Sequence, residues 1–282
     1  MWYIENRNNS TFNIYGDCNQ KCPFCSGYPK KNYNISDLKN KIKWLKEISL
    51  QWWEPTLSPD LLEIIEYARN NWTKYINLIT NWFKLANKDF ALQLRWKINC
   101  YHFAFMSHKK AKSDLLWWSD NTLILKSKWV LNLIKQWEGS KIRLVHIIQK
   151  DNIDDLEEFP LFVFKRFPWV KLIEFKYLQY FWNKNNLWNI LRYSEVSDIL
   201  NKTFDLSLKL GLNIIINGIP LCFLNKKFHK FTASYYNKND DKQMKIFSTI
   251  KLKKCTKCLY SKRCIWIRKD YLLLNWEDEF KI

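Results

Sequence analysis

The chain has 282 residues, of which 47% are hydrophobic, and its formal net charge is +19. This length allows one or two domains with a sizeable core, and the hydrophobic content excludes an intrinsically disordered chain. No run of 18 apolar residues is present, which excludes a membrane-spanning helix, and the polar residues 1–10 lack the apolar segment of a signal peptide. We therefore expect a cytoplasmic protein.

Short apolar runs alternate with amphipathic segments along residues 11–216, which predicts alternating strands and helices. The predicted strands cover residues 11–15, 49–51, 74–80, 98–106, 142–149, 171–180 and 212–216. The predicted helices cover residues 36–48, 58–70, 87–95, 122–136, 154–167 and 194–210, and Ser58 is expected to cap the second helix just before Pro59. This order indicates an α/β fold with a parallel sheet, in which functional residues lie on the loops after the strands.

The alternation stops after Gly218, and the segment that follows is rich in loops and contains four of the eight cysteines. We therefore expect two domains, one over residues 1–216 and a small one over residues 217–282. The cysteine spacings are uneven and clustered, which favours metal binding in a reducing compartment over a disulfide framework.

Three cysteines follow the first predicted strand on one short loop, in the order Cys18-x3-Cys22-x2-Cys25. Thiolates select soft metals and iron–sulfur clusters, and three of them can hold a 4Fe–4S cube while leaving its fourth iron open. Zinc sites more often have four ligands in paired x2 spacings, so a zinc or purely structural site is the alternative interpretation.

This loop resembles the cysteine motif of the radical S-adenosylmethionine (radical SAM) enzymes, which includes a phenylalanine at the position of Phe24. Two later strand ends extend the resemblance. Residues 52–55 read Trp-Trp-Glu-Pro where the family has Gly-Gly-Glu-Pro, and residues 80–82 read Thr-Asn-Trp where it often has Thr-Asn-Gly. The resemblance covers most of residues 11–216 and implies a partial (βα)6 barrel, similar to a TIM barrel.

The resemblance implies that S-adenosylmethionine (SAM) binds the open iron and is cleaved by one electron to methionine and a 5′-deoxyadenosyl radical, which abstracts hydrogen from a substrate. It also implies an external electron donor of the flavodoxin or ferredoxin type, and a peptide or small-molecule substrate that the sequence does not identify. The cofactor-binding residues that it implies, or that we place at strand ends, are Phe24, Trp52, Trp53, Glu54, Thr80, Asn81, Ser107 and Asn152.

A second cysteine group, Cys255-x2-Cys258-x5-Cys264, stands near the end of the chain, and Cys222 is a plausible fourth ligand. This pattern resembles the C-terminal segment of SPASM or twitch radical SAM proteins, which implies an auxiliary 4Fe–4S cluster with no open iron. A four-cysteine zinc site is the alternative. The remaining Cys100 lies in an apolar strand and is interpreted as a small buried hydrophobic residue.

Only 8 of the 46 basic residues are arginine, and the chain is rich in lysine, asparagine and isoleucine. An AT-rich coding sequence gives this composition without selection for binding, so we interpret the charge as a solvated lysine-rich surface. The alternative function is that of a non-enzymatic iron–sulfur or zinc protein that binds nucleic acid through this surface.

The chain has 5 glycines and 16 tryptophans, together 21 residues. Glycine alone ordinarily makes up about 7% of a protein, or about 20 residues in a chain of this length. Tryptophan stands at several glycine positions of the family motifs, and it ends predicted helices or turns, where glycine is favoured. We interpret the tryptophans as UGA codons that the source organism decodes as glycine. The positions that indicate this are Trp52, Trp53, Trp72, Trp82, Trp96, Trp117, Trp118, Trp137, Trp266 and Trp276.

Overall fold

The computed structural model describes residues 10–22, 25, 33–51, 53–178, 189–233, 249–274 and 277–280. The main sheet contains β1 (Ser10–Asn13), β2 (Glu47–Gln51), β3 (Tyr75–Ile79), β4 (Cys100–Ala104), β5 (Ile142–Ile148), β6 (Leu172–Tyr177) and β7 (Asn213–Asn217). The helices that connect these strands are α1 (Ile35–Ile42), α2 (Leu61–Asn70), α3 (Lys88–Leu94), α4 (Lys110–Trp117), α5 (Thr122–Lys135), α6 (Phe159–Arg166) and α7 (Tyr193–Lys209).

The seven strands lie in the order in which they occur in the chain, and every neighbouring pair is parallel. Parallel neighbours require a crossover, and α1 to α7 supply the six crossovers, with α4 and α5 sharing one. Within the described residues β1 and β7 form the two edges of the sheet, which is open. The predicted α/β fold with a parallel sheet and about six βα units is confirmed.

The two faces of the sheet differ in chemistry. Alternate residues such as Leu50, Leu78 and Phe103 are buried, and they join helix residues such as Ile64 in one hydrophobic cluster. Burial of this apolar surface is the main favourable contribution to folding. The opposite face carries polar side chains, and the C-terminal ends of all seven strands meet at one edge of the sheet.

Two predicted helix boundaries are wrong. Helix α1 ends at Ile42 rather than at residue 48, because Lys43 leaves the helical conformation (ψ 127°) and Trp44 after it is left-handed (φ 74°). Helix α2 begins at Leu61, with Asp60 as its N-cap, rather than with a cap at Ser58. The Ser58 hydroxyl instead accepts a hydrogen bond from the Asp60 backbone N–H at 3.2 Å.

Two other segments also differ from the predictions. Helix α4 was not predicted, and Asn121 together with Trp118, both left-handed, separates it from α5. Residues 150–155 form a 3-10 helix, and α6 begins only at Phe159, because Pro160 is favourable in the first turn of a helix but not in its interior.

Eleven tryptophans lie in the described residues, and eight of them have a left-handed backbone: Trp44, Trp53, Trp72, Trp82, Trp96, Trp118, Trp137 and Trp266. Asn121 is the one other non-glycine residue with positive φ in this part of the chain. A side chain with a Cβ costs free energy in this conformation, whereas glycine adopts it freely. These eight backbone positions are therefore glycine positions in their geometry.

After α7, a glycine occupies the left-handed position that follows the helix. Gly211 is left-handed (φ 71°), and the Leu212 N–H donates to the Ser207 carbonyl oxygen at 3.0 Å. Trp72 occupies the same position after α2, where the Thr73 N–H donates to the Ala68 oxygen at 3.0 Å. Both are Schellman endings, which favour glycine at the left-handed residue.

The C-terminal segment packs against the start of α7 and the end of β6. It contains a short antiparallel pair, β8 (Thr249–Ile250) and β9 (Ile267–Arg268), and the one-turn helix α8 (Lys269–Leu272). The Tyr271 hydroxyl accepts from the Tyr193 N–H at 3.0 Å, and Arg268 donates to the Leu178 carbonyl at 3.0 Å. The boundary between residues 216 and 217 remains a prediction. No helix in the described residues is long and apolar enough to cross a membrane.

Candidate functional site

The first cysteine loop follows β1 and lies at the C-terminal edge of the sheet. Cys18 and Cys22 are half-buried and Cys25 is exposed, and the Cys25 N–H donates to the Cys22 carbonyl at 3.0 Å. Three hydrogen bonds fasten the loop to the ends of β2 and β3, one of them from the Asn81 side-chain amide to the Asn19 side-chain oxygen at 2.6 Å. The Glu54 N–H donates to the Asp17 carbonyl at 3.0 Å, and the Asn81 side-chain amide donates to the Cys18 sulfur at 3.3 Å.

Glu54 organises this edge of the sheet through its carboxylate, which is fully buried. The carboxylate accepts hydrogen bonds from the Thr56 N–H at 3.0 Å, from the Thr80 hydroxyl and from the Asn81 N–H. Burial raises the pKa of Glu54, and these hydrogen bonds oppose that shift. The structure therefore brings together three residues predicted from separate strand ends, Glu54, Thr80 and Asn81, and places them beside the cysteine loop.

Tryptophan follows two of these strand ends. Trp53 has φ 51° and Trp82 has φ 70°, as expected for residues that stand at glycine positions of the motifs. The indole N–H groups of both are buried without a hydrogen-bond partner in the described structure. A buried unpartnered donor costs free energy, and both indole groups carry this cost. Phe24 and Trp52, also predicted to bind the cofactor, lie outside the described residues.

Ser107 and Asn152 are buried at the ends of β4 and β5, and the protein itself uses their polar groups. The Ser107 hydroxyl donates to Asp155, whose carboxylate also pairs with Lys109 at 3.0 Å. The Asn152 side chain donates to the Met106 and Ile147 carbonyls, both at 2.9 Å. These contacts join the two strand ends, and cofactor binding by Ser107 and Asn152 stays a prediction.

Lys126 of α5 is a charged residue at this site that the sequence analysis missed. It is buried, its ammonium group donates to the Ala104 carbonyl at 2.8 Å, and it lies 3.2 Å from the centre of the Trp117 ring. Burial lowers its pKa well below the usual range, and the nearby Cys22 thiol opposes that shift. Its position three residues before Trp129, on the apolar face of a predicted helix, was a signal that could have revealed it.

The polar face of the sheet carries a row of side chains that spans β2 to β7. Arg143 forms an ion pair with Glu174 at 2.8 Å, and the Asn217 amide donates to Glu174 at 3.1 Å. The Asn77 amide donates to Glu47 at 3.2 Å, and His102 lies beside Asn77 at 3.4 Å. This row of paired groups belongs to the face below the cysteine loop, and the separate strand patterns did not reveal it.

The cysteines of the second group lie close together in the structure, and their role as metal ligands stays a prediction. Cys222, Cys255, Cys258 and Cys264 line one pocket that opens to solvent. Backbone turns shape it, with the Cys258 N–H donating to the Cys255 carbonyl at 3.2 Å. No group of three His, Cys, Asp or Glu side chains in the described residues is placed to hold a single metal ion.

Burial disfavours the thiolate form of Cys18, Cys22 and Cys222 in the metal-free protein. Burial raises the pKa of Cys18 and of Cys22, and burial together with the neighbouring Cys264 raises the pKa of Cys222 to about 12. Since metals bind the thiolate, loading either group with metal must displace protons. Cys100 is buried as expected. It faces the polar row, however, and the pKa of Cys100 is raised to about 12 by burial, which Arg143 opposes.

Comparison with solved structures finds this fold in proteins of low sequence identity. Streptococcus suis SuiB bound to S-adenosylmethionine shares 13% identity with a TM-score of 0.66, and the match covers 96% of this chain and 75% of SuiB. anSMEcpe with bound AdoMet and a Cp18Cys peptide shares 14% identity with a TM-score of 0.64, over 96% of this chain and 92% of that one. HydG, a maturase of the FeFe-hydrogenase, shares 10% identity with a TM-score of 0.53, over 73% and 50%. No family profile and no curated protein matches the chain. At these identities the likeness establishes the fold.

Proposed function

We propose that this chain is a radical SAM enzyme. The observation that carries the proposal is the loop of three thiols that Asn81 and Glu54 fasten at the C-terminal edge of a seven-stranded parallel sheet. Two proteins with this fold, SuiB and anSMEcpe, have been solved with S-adenosylmethionine bound. The donor set fits a 4Fe–4S cluster, because three soft ligands on one loop leave one iron for another molecule.

Each residue of the site has a part in this proposal. Cys18, Cys22 and Cys25 hold the cluster, and Glu54 fixes the strand ends against which SAM binds. Lys126 lies beside Cys22, where a thiolate raises the pKa of Lys126 and so favours the ammonium form that offsets the negative charge. The cluster and SAM together supply the one-electron cleavage that yields the 5′-deoxyadenosyl radical.

The reaction is tested by anaerobic reconstitution with iron and sulfide, followed by dithionite and SAM. We expect 5′-deoxyadenosine from the chain with glycine at the 16 tryptophan positions. Cys22→Ser abolishes it and Cys100→Ala retains it, because only the first residue belongs to the cluster loop. A reconstituted chain with an intact cluster spectrum and no 5′-deoxyadenosine contradicts the proposal.

The substrate that we propose is a peptide. SuiB has been solved with the precursor peptide SuiA, and anSMEcpe with Kp18Cys and Cp18Cys peptides. A deuterated candidate peptide tests this, since hydrogen abstraction transfers deuterium to 5′-deoxyadenosine. A small molecule that transfers deuterium when the peptide does not overturns the peptide class.

We also propose that Cys222, Cys255, Cys258 and Cys264 hold an auxiliary 4Fe–4S cluster, in a small C-terminal domain of the SPASM or twitch type. The shared cavity supports this, because four thiols around a space suit a cube of iron and sulfide. Metal analysis after reconstitution decides the point. About eight irons per chain are expected for two 4Fe–4S clusters, whereas about one zinc with about four irons supports a zinc site instead.

We further propose that the 16 tryptophans are glycines in the native protein, decoded from UGA. The eight left-handed positions support this, and so does the exposure of Trp44, Trp72, Trp96, Trp118, Trp137 and Trp169, since indoles are seldom placed in water. Mass spectrometry of the native peptide between Gln51 and Glu54 decides it. Two glycines are expected there, and two tryptophans overturn the proposal.

A further inference from the structure

The two stretches that form the auxiliary cysteine site carry charge of one sign. Residues 219–233 and 249–264 contain nine lysines or arginines and no aspartate or glutamate. The whole chain, in contrast, has 27 acidic residues to 46 basic ones. All nine cations are exposed: Lys226, Lys227, Lys230, Lys251, Lys253, Lys254, Lys257, Lys262 and Arg263. We call their surface the basic cysteine face.

The two stretches form one surface rather than two. Both contribute walls to the cavity that the four cysteines line, and the rings of His229 and Tyr260 meet edge to face at 4.7 Å. Lys227 pairs with Asp205 at 2.5 Å, and Lys254 donates to the carbonyl oxygens of Glu277 and Phe280. Glu277, Asp278 and Glu279 directly precede Phe280 of the cavity wall, so the surface around the thiols has nine cations to three carboxylates.

Leu259 lies within this surface, directly after Cys258, and is 96% exposed. An apolar contact surrounded by charged groups is the ordinary composition of a protein docking site. Binding of single-stranded nucleic acid fits less well, because it stacks bases on exposed aromatic rings, whereas the Tyr260 ring packs on His229.

We propose that the basic cysteine face docks a small acidic electron-transfer protein, which passes electrons to the auxiliary site. In each event the donor protein loses one electron and the auxiliary cluster gains it, with no bond made or broken. Docking here brings the donor to the exposed Cys222 and the half-buried Cys255 and Cys258. The inference rests on the proposed function because it requires the auxiliary cluster.

Complementary charge makes such docking fast and sensitive to salt, with association rates raised about 10- to 1,000-fold over those of uncharged partners. The test variant is the triple reversal Lys253→Glu, Lys257→Glu and Lys262→Glu. Its matched control reverses three exposed lysines of α5 and α6: Lys128→Glu, Lys135→Glu and Lys165→Glu. The probe is an acidic flavodoxin, and the full chain carries its reconstituted clusters.

The first readout is the dissociation constant for oxidised flavodoxin at low and high salt, and the second is the rate of cluster reduction by reduced flavodoxin. We expect the face triple to weaken binding and slow reduction at least tenfold at low salt, and the control triple to change neither more than about threefold. Equal effects of the two triples overturn the docking surface. The docking surface is also overturned if the variant with three reversed lysines on the basic cysteine face loses RNA binding while flavodoxin reduces it at an unchanged rate.

Reduction by dithionite separates this inference from the proposed function. Dithionite needs no docking surface, so 5′-deoxyadenosine formation driven by it should be the same in both triples. If dithionite gives no 5′-deoxyadenosine in any variant although flavodoxin still distinguishes the triples, the docking surface stands and the proposed reaction fails.

Discussion

Replacing tryptophan by glycine at two helix ends should stabilise the chain. Trp72 and Trp137 follow α2 and α5, are 70% and 71% exposed, and have φ values of 71° and 66°. Each sits in a Schellman ending, since the residue after it donates to the carbonyl five positions earlier, Thr73 to Ala68 and Glu138 to Leu133. The indoles are in water, so their removal costs little burial.

The expected gain follows from two opposing contributions. A Cβ in the left-handed region costs about 1–2 kcal/mol, whereas the greater freedom of glycine in the unfolded chain costs about 0.4–1 kcal/mol. The net gain is therefore about 0.5–1 kcal/mol for each residue. The two helix ends lie on different elements, so their effects should add to about 1–2 kcal/mol. This corresponds to a rise in Tm of about 2–8 °C.

The measurement is thermal and denaturant unfolding of the apo chain with both substitutions. Two controls separate the backbone from the side chain. Alanine at both positions removes the indole but keeps the Cβ, so it should give little gain. Trp169→Gly removes an indole that is also exposed but whose φ is not positive, so it should not stabilise. If alanine stabilises as much as glycine, the argument from backbone strain is refuted.

Three further predictions concern metal, charge and pH. Cys222→Ser should lower the iron content by about half, since one of two four-iron clusters loses a ligand, whereas Cys100→Ala should leave it unchanged. In the glycine-substituted chain, Lys126→Met should weaken SAM binding measured by calorimetry and Lys126→Arg should retain part of it, whereas Lys128→Met, on the exposed side of α5, should have no effect. Burial of His146 lowers its pKa to about 3. Below about pH 6.5 the unfolded chain therefore binds a proton on His146 that the folded chain does not bind. The free energy of unfolding should fall as the pH drops from about 6.5 towards 3. His146→Phe should reduce this loss between pH 7 and 5 in urea unfolding; an unchanged pH slope would contradict the assignment.

Much of the fold follows from local patterns. Runs such as residues 74–80 and 142–149 are apolar and bounded by polar residues, and the structure has β3 and β5 there. Local patterns fail to predict the end of α1, where the backbone angles of Lys43 and Trp44 stop a helix that the sequence pattern continues.

At the candidate site, too, local patterns predict some features and miss others. The rule that parallel strands end at one edge predicts that Glu54 and Asn81 meet, and they do. Lys126 was missed because its burial depends on distant partners: Trp117, Ala104 at the end of β4, and the loop that carries Cys22. The ion pair of Arg143 with Glu174 likewise depends on the register of two strands.

The sequence by itself determined the spacing of the two cysteine groups, the alternation of strands and helices, and the excess of tryptophan over glycine. Cysteine spacing and hydrophobic periodicity are local properties, so they can be seen before the chain folds. Only the tertiary structure decided which groups share a site. It closed four thiols around one cavity, buried Lys126 beside Cys22, and gave eight tryptophans a backbone conformation suited to glycine. Those outcomes depend on packing between residues far apart in the chain, which no local pattern contains.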